Sequence, residues 1–179
     1  MFTSKLVLCV GFAAAMSASP AFAQSPRLGK PLSENDVKTW DISILPDGTN
    51  LPQGTGNSRQ GAKIYAEQCA MCHGDKLQGG ASPGATALIG GPPLTNGIET
   101  QKTIANYYAY ATTIFDYIRR GMPFTAPGSL TNEEVYSLTA FILAQNKLIG
   151  ENETMDSKTL PAVKMPNRDN FILPYPDRI

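Results

Sequence analysis

The sequence predicts an all-α domain, a few helices joined by long irregular loops. Three observations predict it. Apolar residues recur at helical spacing in three separate stretches. Glycine and proline, 16 and 14 of the 179 residues, punctuate the segments between them. The first helical stretch runs directly into Cys69-Ala70-Met71-Cys72-His73, whose spacing presents three reactive side chains to one object.

Residues 1–23 have the pattern of a secretory leader. Lys5 is a basic start, 6–16 are apolar, and Ala21-Phe22-Ala23 precedes Gln24 as a cleavage site. The apolar run is too short to span a membrane comfortably. Cleavage after Ala23 is expected, with export to the periplasm. It would remove Cys9 and leave Cys69 and Cys72. Residues 24–56 are expected to form an irregular extension that lays Trp40 onto the core, an electron-relay role for Trp40 being the alternative.

A domain over 57–149 follows. Its first helix starts with Asn57 or Ser58 as N-cap and carries Gly61, Ile64, Tyr65 and Gln68 at helical spacing. Glycine inside a helix costs about 1 kcal/mol against alanine. Gly61 is therefore expected where a second helix crosses closely, with Phe141 as the partner. After His73 periodicity is lost, and Leu77, Leu88, Ile89 and Leu94 are the apolar residues of a long wrapping loop. A second helix is predicted over 104–120, with Ile114, Tyr117 and Ile118 on one face and Gly121 as its stop. Met122-Pro123 then makes a rigid extended corner. Thr131-Asn132-Glu133-Glu134 has the form of a capping box before a third helix over 135–148, with Leu138, Phe141, Ile142 and Gln145 facing inward. Residues 150–179 are expected to form an irregular tail.

Cys-x-x-Cys-His is the attachment motif of a c-type haem. The two thiols form thioethers with the vinyl groups, and the histidine reaches the iron. A thioredoxin-like disulfide would need a strand before the motif and a helix after it, the reverse of the order here. A zinc site lacks ligands, because His73 is the only histidine and there is no second cysteine pair. The expectation is one covalent haem c on Cys69, Cys72 and His73. Lys and Arg total 15, as do Asp and Glu, so there is no charge footprint for nucleic acid or an anionic membrane.

With a single histidine, any second axial protein ligand must be of another type. Met71 lies within the attachment loop, and Met155 and Met165 lie in the tail. Met122 follows a helix and precedes the closing helix, so it has chain enough to reach the far face of the ring. It is the expected sixth ligand, lysine coordination or an open site being the alternatives. The Nδ1 of His73 needs an acceptor, and a proline carbonyl in Gly91-Pro92-Pro93-Leu94 is the candidate. Arg119, Arg120, Tyr110 and Tyr117 are candidate donors to the haem propionates.

With these features in place, residues 57–149 resemble a class I cytochrome c, a few helices wrapped around one covalently bound haem. The resemblance implies Cys69 and Cys72 as thioether anchors, His73 and Met122 as iron ligands, and the Pro92 carbonyl as the partner of His73. A narrower resemblance covers nearly the whole chain after the leader. Trp40-Asp41-Ile42, Leu45-Pro46-Asp47-Gly48, the run from Tyr108 to Arg120, and the run from Leu160 to Asp169 are similar to cytochrome subunits of bacterial sulfite and sulfane dehydrogenases. That resemblance implies a molybdenum-containing dehydrogenase subunit as electron donor and a downstream cytochrome or oxidase as acceptor.

The function expected is therefore single-electron transfer, not catalysis of its own. A general carrier for another periplasmic dehydrogenase is one alternative. A peroxidase or gas sensor is another, and it is disfavoured because no distal histidine remains.

Overall fold

A computed structural model describes residues 29–94 and 99–172. The leader, the first residues of the extension and the end of the tail lie outside the described residues. In chain order the elements are α1 (Glu34–Trp40), β1 (Thr55–Asn57), α2 (Ser58–Gln68), α3 (Ala70–His73), α4 (Ile104–Tyr107), α5 (Ala111–Gly121), α6 (Asn132–Gln145) and β2 (Thr154–Asp156). Two 3₁₀ turns, Leu160–Ala162 and Arg168–Asn170, close the chain. No described helix is long and apolar enough to cross a membrane.

The core is organised by the crossing of α2 and α6. Asn57 caps α2, its side chain accepting from the Gln60 N–H at 3.0 Å. Thr131 and Glu134 close the expected capping box on α6, and the Thr131 N–H donates to Glu134 Oε2 at 2.8 Å. The two helices meet backbone to backbone at Gly61 and Ser137. A Cβ on Gly61 would collide with the Ser137 carbonyl oxygen and stand 2.6 Å from Phe141 Cβ. Gly56 in β1 meets the amide side of the same Ser137 just as closely. Two glycines thus take one residue of α6 between them. Tyr65 and Phe141 then pack with ring centroids 5.2 Å apart.

Residues 135–144 of α6 are all buried, so it has no solvent face. An inward stripe was expected; instead α2, β1, α5 and β2 enclose the helix, and Gln145, expected inside, is exposed. Phe115 of α5 packs against Tyr136 of α6, ring centroids 4.4 Å apart and planes tilted by 48°.

The predicted helix over 104–120 is broken. Tyr108 leaves α4 with extended backbone, and α5 begins at Ala111. The carbonyl of Tyr107 freed by the break accepts from Asn167 Nδ2 at 2.8 Å. A side chain from the tail therefore offsets the lost helical bond. Tyr117 is exposed rather than sharing the buried face of Ile114 and Ile118. Gly121 is the last helical residue and not a left-handed stop, since α5 is ended by Met122 in extended backbone.

Both flanking segments are more structured than expected. In the extension, Ser33 and Asp36 form a capping box that starts α1. Trp40 does not lie on the core: it is 80% exposed. The extension reaches the core through Leu51 and half-buried Ile44. Its Pro52 carbonyl accepts from Tyr136 Oη at 2.9 Å. The tail is mostly irregular over its described length, as expected, but it holds β2 and two 3₁₀ turns. β2 pairs antiparallel with β1, Gly56 opposite Met155, and Met155, Leu160 and Met165 enter the main core.

Three outcomes are expected. Gly61→Ala should destabilise by about 1–3 kcal/mol, because the methyl meets backbone that cannot yield, measured as a fall in denaturant midpoint. Leu160→Ala should cost about 2–5 kcal/mol if the tail is part of the core, and no change in midpoint would make it an appendage. Tyr65 Oη donates to the Gly74 carbonyl at 2.7 Å, and burial pushes its hydroxyl up to about 12. A raised folded value favours the neutral phenol. Its contribution is thus complete below pH ~10, the unfolded value, and is lost as pH rises towards 12. Tyr65→Phe should cost about 1 kcal/mol at neutral pH and flatten the alkaline loss of stability in denaturant titrations.

Candidate haem site

The pentapeptide is presented by the end of α2 and the single turn of α3. α2 ends at Gln68, where Cys69 caps it through its N–H to the Tyr65 carbonyl. The Cys72 and His73 amides both donate to the Cys69 carbonyl, at 3.1 and 2.9 Å. The three side chains are therefore carried on one tight turn. Gly74 follows with φ of 78° and lets the chain leave sharply. Tyr65, buried in the helix crossing, holds the Gly74 carbonyl. The motif is thus tied directly to the core.

Cys69 and Cys72 are free thiols, both half-buried. Burial first, then the neighbouring Cys72, raises the Cys69 thiol to about 11. Ser82 Oγ lies 3.5 Å from Cys72 Sγ. His73 Nδ1 is 3.2 Å from the Thr86 carbonyl oxygen. A carbonyl only accepts, so Nδ1 carries the proton and Nε2 keeps its lone pair for a metal.

The expected partner of His73 was the Pro92 carbonyl. The structure gives that role to Thr86, whose carbonyl lies against the imidazole, while Pro92 O accepts from Asn106 Nδ2 at 2.9 Å. Asn106 also donates to the Gln101 carbonyl at 2.9 Å and accepts from the Thr103 amide at 2.7 Å. The Gly91-Pro92 segment is therefore stitched to the start of α4, and the earlier loop at Thr86 faces the imidazole.

Met122 sits just beyond α5, half-buried against the core cluster, its N–H bonded to the Ile118 carbonyl at 3.0 Å. Leu88, Ile89, Tyr108 and Leu130 are likewise only partly covered at the edge of that core. Leu77 is fully buried and structural. Of the candidate propionate donors, Arg120 is engaged by Asp116 one helical turn earlier. Tyr110 lies under the Arg168 guanidinium at 4.2 Å. Arg119 is half-buried and its charge acts on Tyr136.

The residues present fit a c-type haem. Two free thiols stand at the attachment spacing, an imidazole keeps Nε2 available, and a thioether and half-covered apolar side chains suit a flat apolar ring. Among the described residues no group of three His, Cys, Asp or Glu could hold a bare metal ion, so zinc has no site there. Sequence reasoning missed Thr86, Asn106, Asn146 and Asn167. Each acts through a contact 13 or more residues away in sequence, and no local pattern marks such a contact.

Comparison with known proteins agrees with this chemistry. Residues 56–142 match a family model described as cytochrome c oxidase, cbb3-type, subunit III. A thiosulfate dehydrogenase of Stutzerimonas stutzeri is 34% identical over 113 residues, covering 58% of this chain and 35% of that protein. A thiosulfate dehydrogenase of Psychrobacter arcticus is 25% identical over 132 residues, covering 66% of this chain and 38% of that protein. The chain thus spans little more than a third of the curated relatives it matches. In the crystal structure of the sulfane dehydrogenase SoxCD from Paracoccus pantotrophus, one chain superposes with a TM-score of 0.71 at 32% identity. That match covers 86% of this chain and 73% of the other. Identity at this level over most of a solved chain, with a cytochrome domain matched across 56–142, decides the kinship: this chain belongs to the cytochrome c family, in its class I fold.

Proposed function

We propose that the chain is a periplasmic monohaem electron carrier. It accepts single electrons from a molybdenum-containing sulfite or sulfane dehydrogenase subunit and passes them to a downstream cytochrome or oxidase. The observation that carries this reading is the ligand set: Cys69 and Cys72 free on one turn, His73 with its proton held at Nδ1, and half-buried Met122. Cys69 and Cys72 would hold the haem covalently, and His73 and Met122 would ligate its iron. When bound, the haem supplies a one-electron couple whose potential a methionine ligand raises.

The chain's own groups do the rest. The Thr86 carbonyl keeps the His73 proton on Nδ1 and the ring in one orientation. Met122, at the end of α5, would be the second protein ligand and would leave the iron no open position for a substrate. The half-covered apolar side chains limit access of water. No acid–base histidine remains for peroxide chemistry. Likeness to a chain of a sulfane dehydrogenase supports a sulfur-compound dehydrogenase as donor. Arg119 and Tyr110 remain the proposed propionate donors, Tyr110 now shared with Arg168.

A second reading, that the chain itself oxidises thiosulfate, draws on the names of the curated relatives. The match reaches only 35% and 38% of their lengths, so residues that act on thiosulfate there can lie outside the shared part.

The oxidised protein is expected to show a methionine-to-iron charge-transfer band, and the reduced protein should bind CO slowly. Met122→Ala should abolish the band, lower the potential and open the iron to CO; an unchanged spectrum removes Met122 from the iron. Sulfite or thiosulfate should reduce the haem only when a molybdenum dehydrogenase is present. Reduction of the isolated chain by thiosulfate would favour the second reading.

A further inference from the structure

We propose that Asn146 is a positioning residue for the haem ligand His73, acting through the loop that carries Thr86, and that it sets the reduction potential. The inference rests on the reading of His73 as an iron ligand.

The carbonyl facing His73 belongs to no helix or strand. Its position depends on ties at either end of a short loop. On one side, Gly79 and Gly80 hold it. The Gly80 N–H donates to the Ala85 carbonyl at 2.9 Å. A Cβ on Gly79 would stand 2.5 Å from Ala87 N and 2.6 Å from the Thr86 carbonyl carbon.

On the other side the tie is Asn146. Its Nδ2 donates to the Leu88 carbonyl at 2.9 Å and to the Ile142 carbonyl at 2.8 Å. Its Oδ1 accepts from the Gly90 N–H at 2.9 Å. The amide has one fitting orientation, because Gly90 N–H needs an acceptor and Leu88 O a donor. Leu88 is further fixed by its own N–H to the Leu77 carbonyl at 2.8 Å.

Asn146 is the C-cap of α6, the helix whose crossing with α2 also fixes the Cys-x-x-Cys-His turn. The imidazole and its acceptor are therefore both referenced to one rigid helix pair. The His73 end is tied through Tyr65 and Gly74, and the Thr86 end through Asn146 and Leu88. A hydrogen bond from Nδ1 raises the basicity of the ligating nitrogen and so stabilises the ferric iron. Loosening Asn146 lets the Thr86 carbonyl drift, weakens that bond and favours the ferrous state.

The test uses the full haem-loaded chain. Asn146→Ala should shift the midpoint potential upward and speed solvent exchange of the His73 Nδ1 proton seen by NMR. Asn146→Leu, which keeps the volume and adds no charge but loses both the donor to Leu88 and the acceptor for Gly90, should shift the potential in the same direction. It carries the test if the alanine variant does not accumulate. Thr131→Ala, at the opposite end of α6, should lower stability and leave the potential in place. Variants at Asn146 with wild-type potential and exchange overturn the proposal. So does a Thr131→Ala shift as large as theirs, which would make the effect one of general stability. Failure of the ligation reading is separate: the His73 ring protons of the wild type would then lack the shifts of an iron-bound imidazole.

Discussion

The contact between Gly61 and the Ser137 backbone is the constraint on which the rest of the molecule depends. A side chain at position 61 would meet a carbonyl oxygen, which cannot rotate away. The helices can approach this closely only because glycine is there, and the cost of glycine in a helix is offset by the packing it permits. Gly56 repeats the arrangement on the amide side of Ser137, so the strand before α2 is seated by the same residue. β2 adds to that strand and brings the tail into the core. From this one approach follow the angle at which α2 ends and the place where Cys69-Ala70-Met71-Cys72-His73 turns.

Around that rigid pair the site is completed by loops, and loops need other means of support. Three asparagines supply much of it. Asn106 ties Pro92 to the start of α4, Asn146 ties Leu88 and Gly90 to the end of α6, and Asn167 fills the break between α4 and α5. Asn106 and Asn146 use both the donor and the acceptor of the amide on backbone groups, whereas Asn167 donates to backbone and its Oδ1 accepts from Asn170 Nδ2. Paired in this way, these groups hold stretches of irregular chain to the helices. The division suits electron transfer, in which ligands must keep their geometry while the iron changes charge.

The flanking segments divide differently. The tail is part of the domain by its buried Met155, Leu160 and Met165. The extension is anchored only from Ile44 and Leu51 onward, and α1 stands outside the core with Trp40 in solvent. The structural likeness to the sulfane dehydrogenase chain covers more of the chain than the cytochrome domain at 56–142 does. Those segments thus include shared architecture beyond a minimal cytochrome.

The sequence by itself determined what is local. Cys-x-x-Cys-His names its chemistry through spacing within five residues. The box at Thr131 and Glu134 is closed within one turn. Gly61 announced a close crossing because a glycine in a helix needs a reason, and Phe141 was recognisable as its partner. A single histidine left methionine as the ligand to expect opposite it. What the tertiary structure alone decided involves partners distant in the chain. The acceptor for His73 is Thr86 and not Pro92, whose carbonyl is turned to Asn106 at the start of α4. The helix over 104–120 is broken, and Asn167, 60 residues from Tyr107, satisfies the carbonyl the break exposes. Trp40 stays in solvent, and Leu51 and Ile44 supply the extension's contact with the core. Hydrophobic period and capping are properties of neighbours along the chain. A backbone group's choice among competing distant partners exists only once the chain has folded.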